Sequence, residues 1–226
     1  MSALSLYLLL AVTPQVVSAP TEYEVIPEES VFAIGTHKAG FAAALAHNHL
    51  IVASDYTARL LFDAADPTRT SFRIQLSVAD LMVDDSVMKD RWYGRLNELD
   101  VWGDSYRGIS EQDREEVRAN MLDEQQLYAD SFPMIEARST TIEARDSERG
   151  DTSFGYEVLL AVTIRGETVH RPFVARYSVE DETLILEALG VFYFTDFGIE
   201  PYSKFLGSVK NENMFHLYLY LRAQPL

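Results

Sequence analysis

Apolar and polar side chains alternate strictly along much of this chain, and that alternation limits its folds more than any other feature. Phe72, Ile74, Leu76 and Val78 are interleaved with Ser71, Arg73, Gln75 and Ser77, a period of two that an extended strand with one dry and one wet face satisfies. The pattern returns in Phe154, Tyr156, Val158, Leu160, Val162 and Ile164, and again in Phe173, Ala175, Tyr177 and Val179. Runs of this kind predict strands near 21–36, 49–63, 70–79, 134–144, 153–164, 168–180, 183–195 and 213–223. The turn signals between them are short: Asp66-Pro67, Arg149-Gly150-Asp151, Arg165-Gly166-Glu167 and Glu180-Asp181-Glu182. Neighbours in sequence should therefore pair as antiparallel hairpins. The expected fold is all-β, an eight-stranded antiparallel barrel of mostly up-and-down topology.

Residues 84–130 break the rhythm, being polar, charged and without alternation. They read as a helical insertion between the third and fourth strands. Ser110 followed by Asp113 has the spacing of a helix cap, Val117, Met121 and Leu122 form a narrow apolar stripe, and Pro133 ends the segment. Such a helix is expected to lie on the barrel or across one of its ends. Nothing in composition marks a second domain, and 226 residues suit a single β domain spanning 20–226.

Residues 1–19 run apolar from Leu4 to Val12 and end in Val17-Ser18-Ala19, small residues that fit a signal-peptidase site. A signal peptide is expected there, and with it a periplasmic or secreted protein. The apolar run is too short to span a bilayer, which needs about 20 residues, and no later segment approaches that length. The absence of cysteine removes thiol nucleophiles, disulfides and thiolate metal sites together. Acidic residues outnumber basic ones 35 to 19, for a formal charge of -16, so phosphate backbones are repelled and nucleic acid is not expected as a partner.

No Gly-x-Ser-x-Gly elbow and no His-Glu-x-x-His zinc motif occurs, and Asp196-Phe197-Gly198 lacks any accompanying Gly-rich phosphate loop. An enzyme is not expected, and no cofactor is implied. His47 and His49, two apart, would share a face on a strand and could share a metal, with His37, His216 or Asp55 as a third ligand, although two ligands are not a site. Imidazoles lining a polar barrel mouth are the plainer reading, and His170 reads as exposed. Trp92, Tyr93 and Trp102 alternate with Arg91, Arg95 and Arg107, either a headgroup site or, more commonly, an amphipathic helix anchoring itself.

Several segments, in order, resemble the YceI-like proteins. They are Tyr23-Glu24-Val25-Ile26-Pro27-Glu28-Glu29-Ser30-Val31-Phe32, Phe62-Asp63-Ala64-Ala65-Asp66-Pro67, Tyr128-Ala129-Asp130-Ser131-Phe132-Pro133-Met134-Ile135, Val162-Thr163-Ile164-Arg165-Gly166-Glu167-Thr168 and Phe194-Thr195-Asp196-Phe197-Gly198-Ile199. Gly35 to Phe41 and Leu45 to His49 look like a divergent branch with a His-x-His segment. The resemblance implies a lipocalin-like barrel that binds a long apolar lipid such as a polyisoprenoid or quinone. The dry-face residues expected to line such a barrel are Phe72, Ile74, Leu76, Tyr156, Val158, Leu160, Phe192 and Phe194. Binding, sequestration or transport of an isoprenoid, quinone or fatty-acyl chain without covalent chemistry is thus the leading expectation. A His-dependent metal-binding protein or metalloenzyme, and an interaction domain whose barrel is filled, are the alternatives.

Overall fold

The computed structural model describes residues 19–41, 47–102 and 108–226. Twelve strands form one sheet: β1 (Thr21–Val25), β2 (Val31–Ala39), β3 (His49–Ala53), β4 (Thr57–Phe62), β5 (Ser71–Ser77), β6 (Leu81–Val83), β7 (Met134–Arg149), β8 (Thr152–Ile164), β9 (Glu167–Glu180), β10 (Thr183–Tyr193), β11 (Ser203–Lys204) and β12 (Val209–Pro225). Two helices, α1 (Ser86–Glu98) and α2 (Glu111–Leu122), stand between β6 and β7. The pairing order β1-β4-β5-β7-β8-β9-β10-β12 closes on itself because β12 also pairs with β1, which makes an eight-stranded antiparallel barrel. Closure leaves the ring itself without a free edge.

The first two expected strands each prove to be two, and β6 is a short strand beyond the third. A turn of 3-10 helix at Pro27–Glu29 separates β1 from β2, Ser54 to Tyr56 separate β3 from β4, and a second 3-10 turn at Val78–Asp80 separates β5 from β6. Proline has no N–H to give a ladder, and at Ser77 the side chain accepts from the Ala79 N–H at 3.2 Å, which replaces a strand bond by a turn bond. The inner ends of these strands remain in the ring, while β2, β3 and β6 continue from β12 as a second tier in the order β12-β2-β3-β6. The helical insertion accordingly follows the sixth strand rather than the third, a correction that comes from two divided strands and the added β6 and not from the position of the helices along the chain.

Side-chain parity then divides the tier into two faces. Phe32 and Ile34 on β2, Ile51 and Ala53 on β3, and Phe215, Leu217 and Leu219 on β12 point into the barrel, where they join Ile74, Leu76, Ile135, Val162, Phe173 and Phe192. Val31 and Ala33, Leu50 and Val52, and Tyr218 face outward and are covered by α1 and the segment after it through Trp92, Leu96, Leu99, Val101 and Trp102. This second core explains the aromatic and arginine pattern of that segment: Trp92 and Trp102 are buried, and Arg95 anchors the helix to the wall. Arg107 lies outside the described residues. Helix α2 instead lies across the open end, with Val117, Met121 and Leu122 packed on the inner core. Its cap is the one expected, Ser110 Oγ accepting from the Asp113 N–H at 3.1 Å. No helix among the described residues is long and apolar enough to cross a membrane.

Candidate functional site

Two pockets lie inside the barrel and share no lining residue. The larger, about 120 Å³, sits under α2 and is walled by Ile34, Ile51, Ile135, Ile164, Phe197 and Phe215, with Val117 and Met121 of α2 as its cover. The smaller, about 80 Å³, is near the other end, among Leu60, Phe72, Val158, Leu160, Phe173 and Leu221. Phe192 stands between them. Its ring lies 5.8 Å from that of Phe173, which lines the smaller pocket, and 5.6 and 5.9 Å from Phe197 and Phe215, which line the larger. Gly190, one pitch back on β10, leaves room for the Phe173 ring, because a Cβ there would meet it at 2.4 Å.

The expected lining residues are distributed across this interior. Phe72, Val158 and Leu160 line the smaller pocket and Phe194 the larger. Ile74, Leu76 and Phe192 are fully buried in the core between, and Tyr156 faces Tyr177, with ring centroids 5.7 Å apart.

Polar groups enter the larger pocket from several elements: Thr36, His49, Asn120, Gln126, Tyr202 and Asn211. Thr36 and His49 are direct cross-strand partners on β2 and β3. His49 Nδ1 bonds Asp84 Oδ2 at 2.6 Å, and the same carboxylate accepts from the Leu50 N–H at 3.0 Å and pairs with Lys89 Nζ at 2.9 Å. Asp84 is fully buried. Burial by itself raises a carboxyl pKa, but the hydrogen bond and charge of His49, the Leu50 N–H and the Lys89 ammonium outweigh it and hold Asp84 below the usual range. The sequence does not single out this position, since Asp84 opens the polar, charged stretch 84–130. Asp85 is the α1 cap, accepting from the Met88 N–H at 3.0 Å, whereas Asp84 turns inward on a left-handed backbone with φ 50°.

A second buried carboxylate, Glu187 on β10, clamps α1 from outside the barrel. Arg95 grips it through Nε and Nη2, both at 2.7 Å, while Arg176 Nε and the Tyr218 hydroxyl each donate at 2.7 Å. Burial raises its pKa, yet Arg95, Tyr218 and Arg176 together reverse the sign and lower it.

The histidines do not converge. His47 precedes β3, which begins at His49, and His37 bonds His216 instead, Nε2 to Nδ1 at 2.8 Å, on the outward face. Burial, then the neighbouring His37 and Arg149, push His216 down to about 4. Among the described residues no group of three or more His, Asp or Glu side chains is placed to hold a metal ion.

Fold and interior together define a lipocalin-like barrel with an apolar pocket under a helical cover. Two solved structures share the fold at low sequence identity. BcnA from Burkholderia cenocepacia aligns over 89% of this chain and 100% of its own, with TM-score 0.59 and 14% identity. A polyisoprenoid-binding domain from Saccharophagus degradans, implicated in plant cell wall breakdown, aligns over 92% and 99%, with TM-score 0.50 and 6% identity. A Campylobacter jejuni YceI protein aligns over 78% and 84%, with TM-score 0.47 and 10% identity. No family model matches the sequence, and no curated protein is similar to it in sequence. The likeness to BcnA shows the fold alone, and that fold is the eight-stranded antiparallel barrel expected from the sequence.

Proposed function

We propose that this protein binds an apolar small molecule inside its barrel without covalent chemistry, the larger pocket being the primary site. The observation that carries this reading is an apolar pocket of about 120 Å³ walled by isoleucine and phenylalanine and covered by α2. Convergent polar groups set in an apolar lining are the usual composition of a small-molecule site. The likeness in fold to a domain described as polyisoprenoid-binding supports a lipid of the isoprenoid, quinone or fatty-acyl kind. Each methylene withdrawn from water contributes about 0.8 kcal/mol, so chain length supplies affinity while the polar groups supply orientation.

Size sets a condition. A cavity near 150 Å³ accepts a benzene-sized molecule, so with Phe192 in place each pocket takes a short group, and a long chain needs Phe192 or the α2 cover to move. Export through the expected signal peptide, toward the periplasm or beyond, completes the proposal; residues 1–18 lie outside the described part of the chain, and N-terminal sequencing of the natural protein tests it.

A neutral reporter such as N-phenyl-1-naphthylamine should brighten and shift to the blue on adding the purified protein. Ile135→Trp, which fills the larger pocket, should abolish most of that signal. An undiminished signal from a folded Ile135→Trp protein would place the probe elsewhere and overturn the assignment.

A further inference from the structure

Among the polar groups of the larger pocket, several are already hydrogen-bonded. Asn120 Nδ2 donates to the Tyr202 hydroxyl at 3.3 Å, and Gln126 Nε2 donates to the Glu200 carbonyl at 3.0 Å. Thr36 is different. It is only 4% exposed, it lines the pocket, and its Oγ1 is buried with no hydrogen-bond partner among the described residues. A buried hydroxyl in that condition is costly unless something bonds it. Directly opposite on β3 stands His49, and facing side chains of such a pair have Cβ atoms about 5 Å apart.

The two groups are chemically complementary to one kind of head. Asp84 engages Nδ1 of His49 at 2.6 Å, which leaves Nε2 as the ring nitrogen that can meet a ligand. Thr36 offers an O–H. No lysine or arginine is among the lining residues, and Lys89, the nearest cation in this network, is bound to Asp84. An anionic head, phosphate or carboxylate, would meet no lysine or arginine in the lining and would lie close to the Asp84 carboxylate. A neutral hydroxyl meets both partners at once.

We infer that the larger pocket takes the hydroxyl end of an apolar alcohol, which donates to His49 Nε2 and accepts from Thr36 Oγ1, with Asp84 fixing the imidazole. The inference rests on the barrel-binding reading and adds to it the chemistry of the ligand's polar end. It also gives Asp84 a role as a positioning residue: its carboxylate sets which nitrogen of His49 carries the proton, and so which one a ligand meets.

The test is calorimetric titration of the purified protein with 1-decanol, decyl methyl ether and decanoate, repeated with Thr36→Val. The ether keeps the chain and the acceptor oxygen but has no proton to give. The alcohol should bind about tenfold more tightly than the ether or decanoate, the worth of one buried hydrogen bond. Thr36→Val, nearly isosteric, should weaken the alcohol several-fold while raising the melting temperature of the ligand-free protein, since it removes an unpartnered hydroxyl. Equal binding of alcohol and ether, tighter binding of decanoate, or an unchanged alcohol affinity in Thr36→Val would overturn the hydroxyl site and leave barrel binding standing. Failure of all three compounds to bind the wild-type protein would overturn both.

Discussion

Asp84 and Glu187 meet the cost of burying a carboxylate in the same way, by surrounding the charge with donors until ionisation is favoured despite the loss of water. The consequence for stability has a definite sign. Both groups titrate lower in the folded protein than the ordinary values of 3.8 and 4.5, so their contribution is complete above those values and is lost as the pH falls below them. His216 acts in a different window. The unfolded chain takes up its proton near 6.5 while the folded protein resists until about 4, so stability is full above 6.5 and falls through that interval by an amount on the order of 2–3 kcal/mol. In His216→Gln, urea-unfolding free energies measured at about pH 7.5 and pH 4.5 should differ by much less than in the wild type. Glu187→Gln should cost about 3 kcal/mol at neutral pH, because it leaves Arg95 and Arg176 facing a group without charge; unfolding in urea measures it. Much of the apolar interior follows the alternation, Phe72, Ile74, Leu76, Val158, Leu160, Phe192 and Phe194 among it, whereas Phe154 of the same run packs in the outer core and Tyr156 lines neither pocket. Of the polar ones, His49 was read as lining a barrel mouth, but Thr36 and Asp84 were not singled out, because they meet it only through the pairing of β2, β3 and β6 and the inward turn at φ 50°.

Turn chemistry decides how well individual elements are defined. The β8–β9 connection uses Arg165 and Gly166 at φ 52° and 78°, and the β9–β10 connection uses Asp181 and Glu182 at φ 48° and 67°. Both are two-residue hairpins with two left-handed positions, the geometry that matches strand twist. Glycine occupies the second of these in one hairpin and glutamate in the other, and a residue with a Cβ is disfavoured there by roughly 1–2 kcal/mol. Glu182→Gly is therefore expected to stabilise the protein by about 0.5–1 kcal/mol, read as a rise in melting temperature. Gly190→Ala should act oppositely and cost about 1–3 kcal/mol, since the added methyl collides with the Phe173 ring. These hairpins were legible because their turn residues are local. The division of the first two strands and the short β6 beyond the third were not read, although Pro27 stands at one corner. The corners at Ser54 to Tyr56 and Val78–Asp80 contain no proline or glycine, so the usual turn signals do not mark them.

At the scale of the molecule, the barrel is a wall, α1 a strut on its outside and α2 a cover over its end, and the interior is divided at Phe192. Strut and cover share one polar stretch of sequence, which is why their different roles could not be separated before the packing was seen. Phe192→Ala should join the two pockets at a stability cost of about 3–5 kcal/mol, and if the barrel is the binding site, the preferred chain length of titrated n-alcohols should increase. The central claim, that this interior exists to hold a small apolar molecule, is tested most directly by native mass spectrometry of the protein purified under mild conditions, followed by denaturation and identification of what is released. The account predicts a stoichiometric complex whose released component is an apolar compound, lost in the Ile135→Trp variant. A protein that emerges at its bare chain mass, and that takes up no lipid when incubated with a total lipid extract, would contradict it.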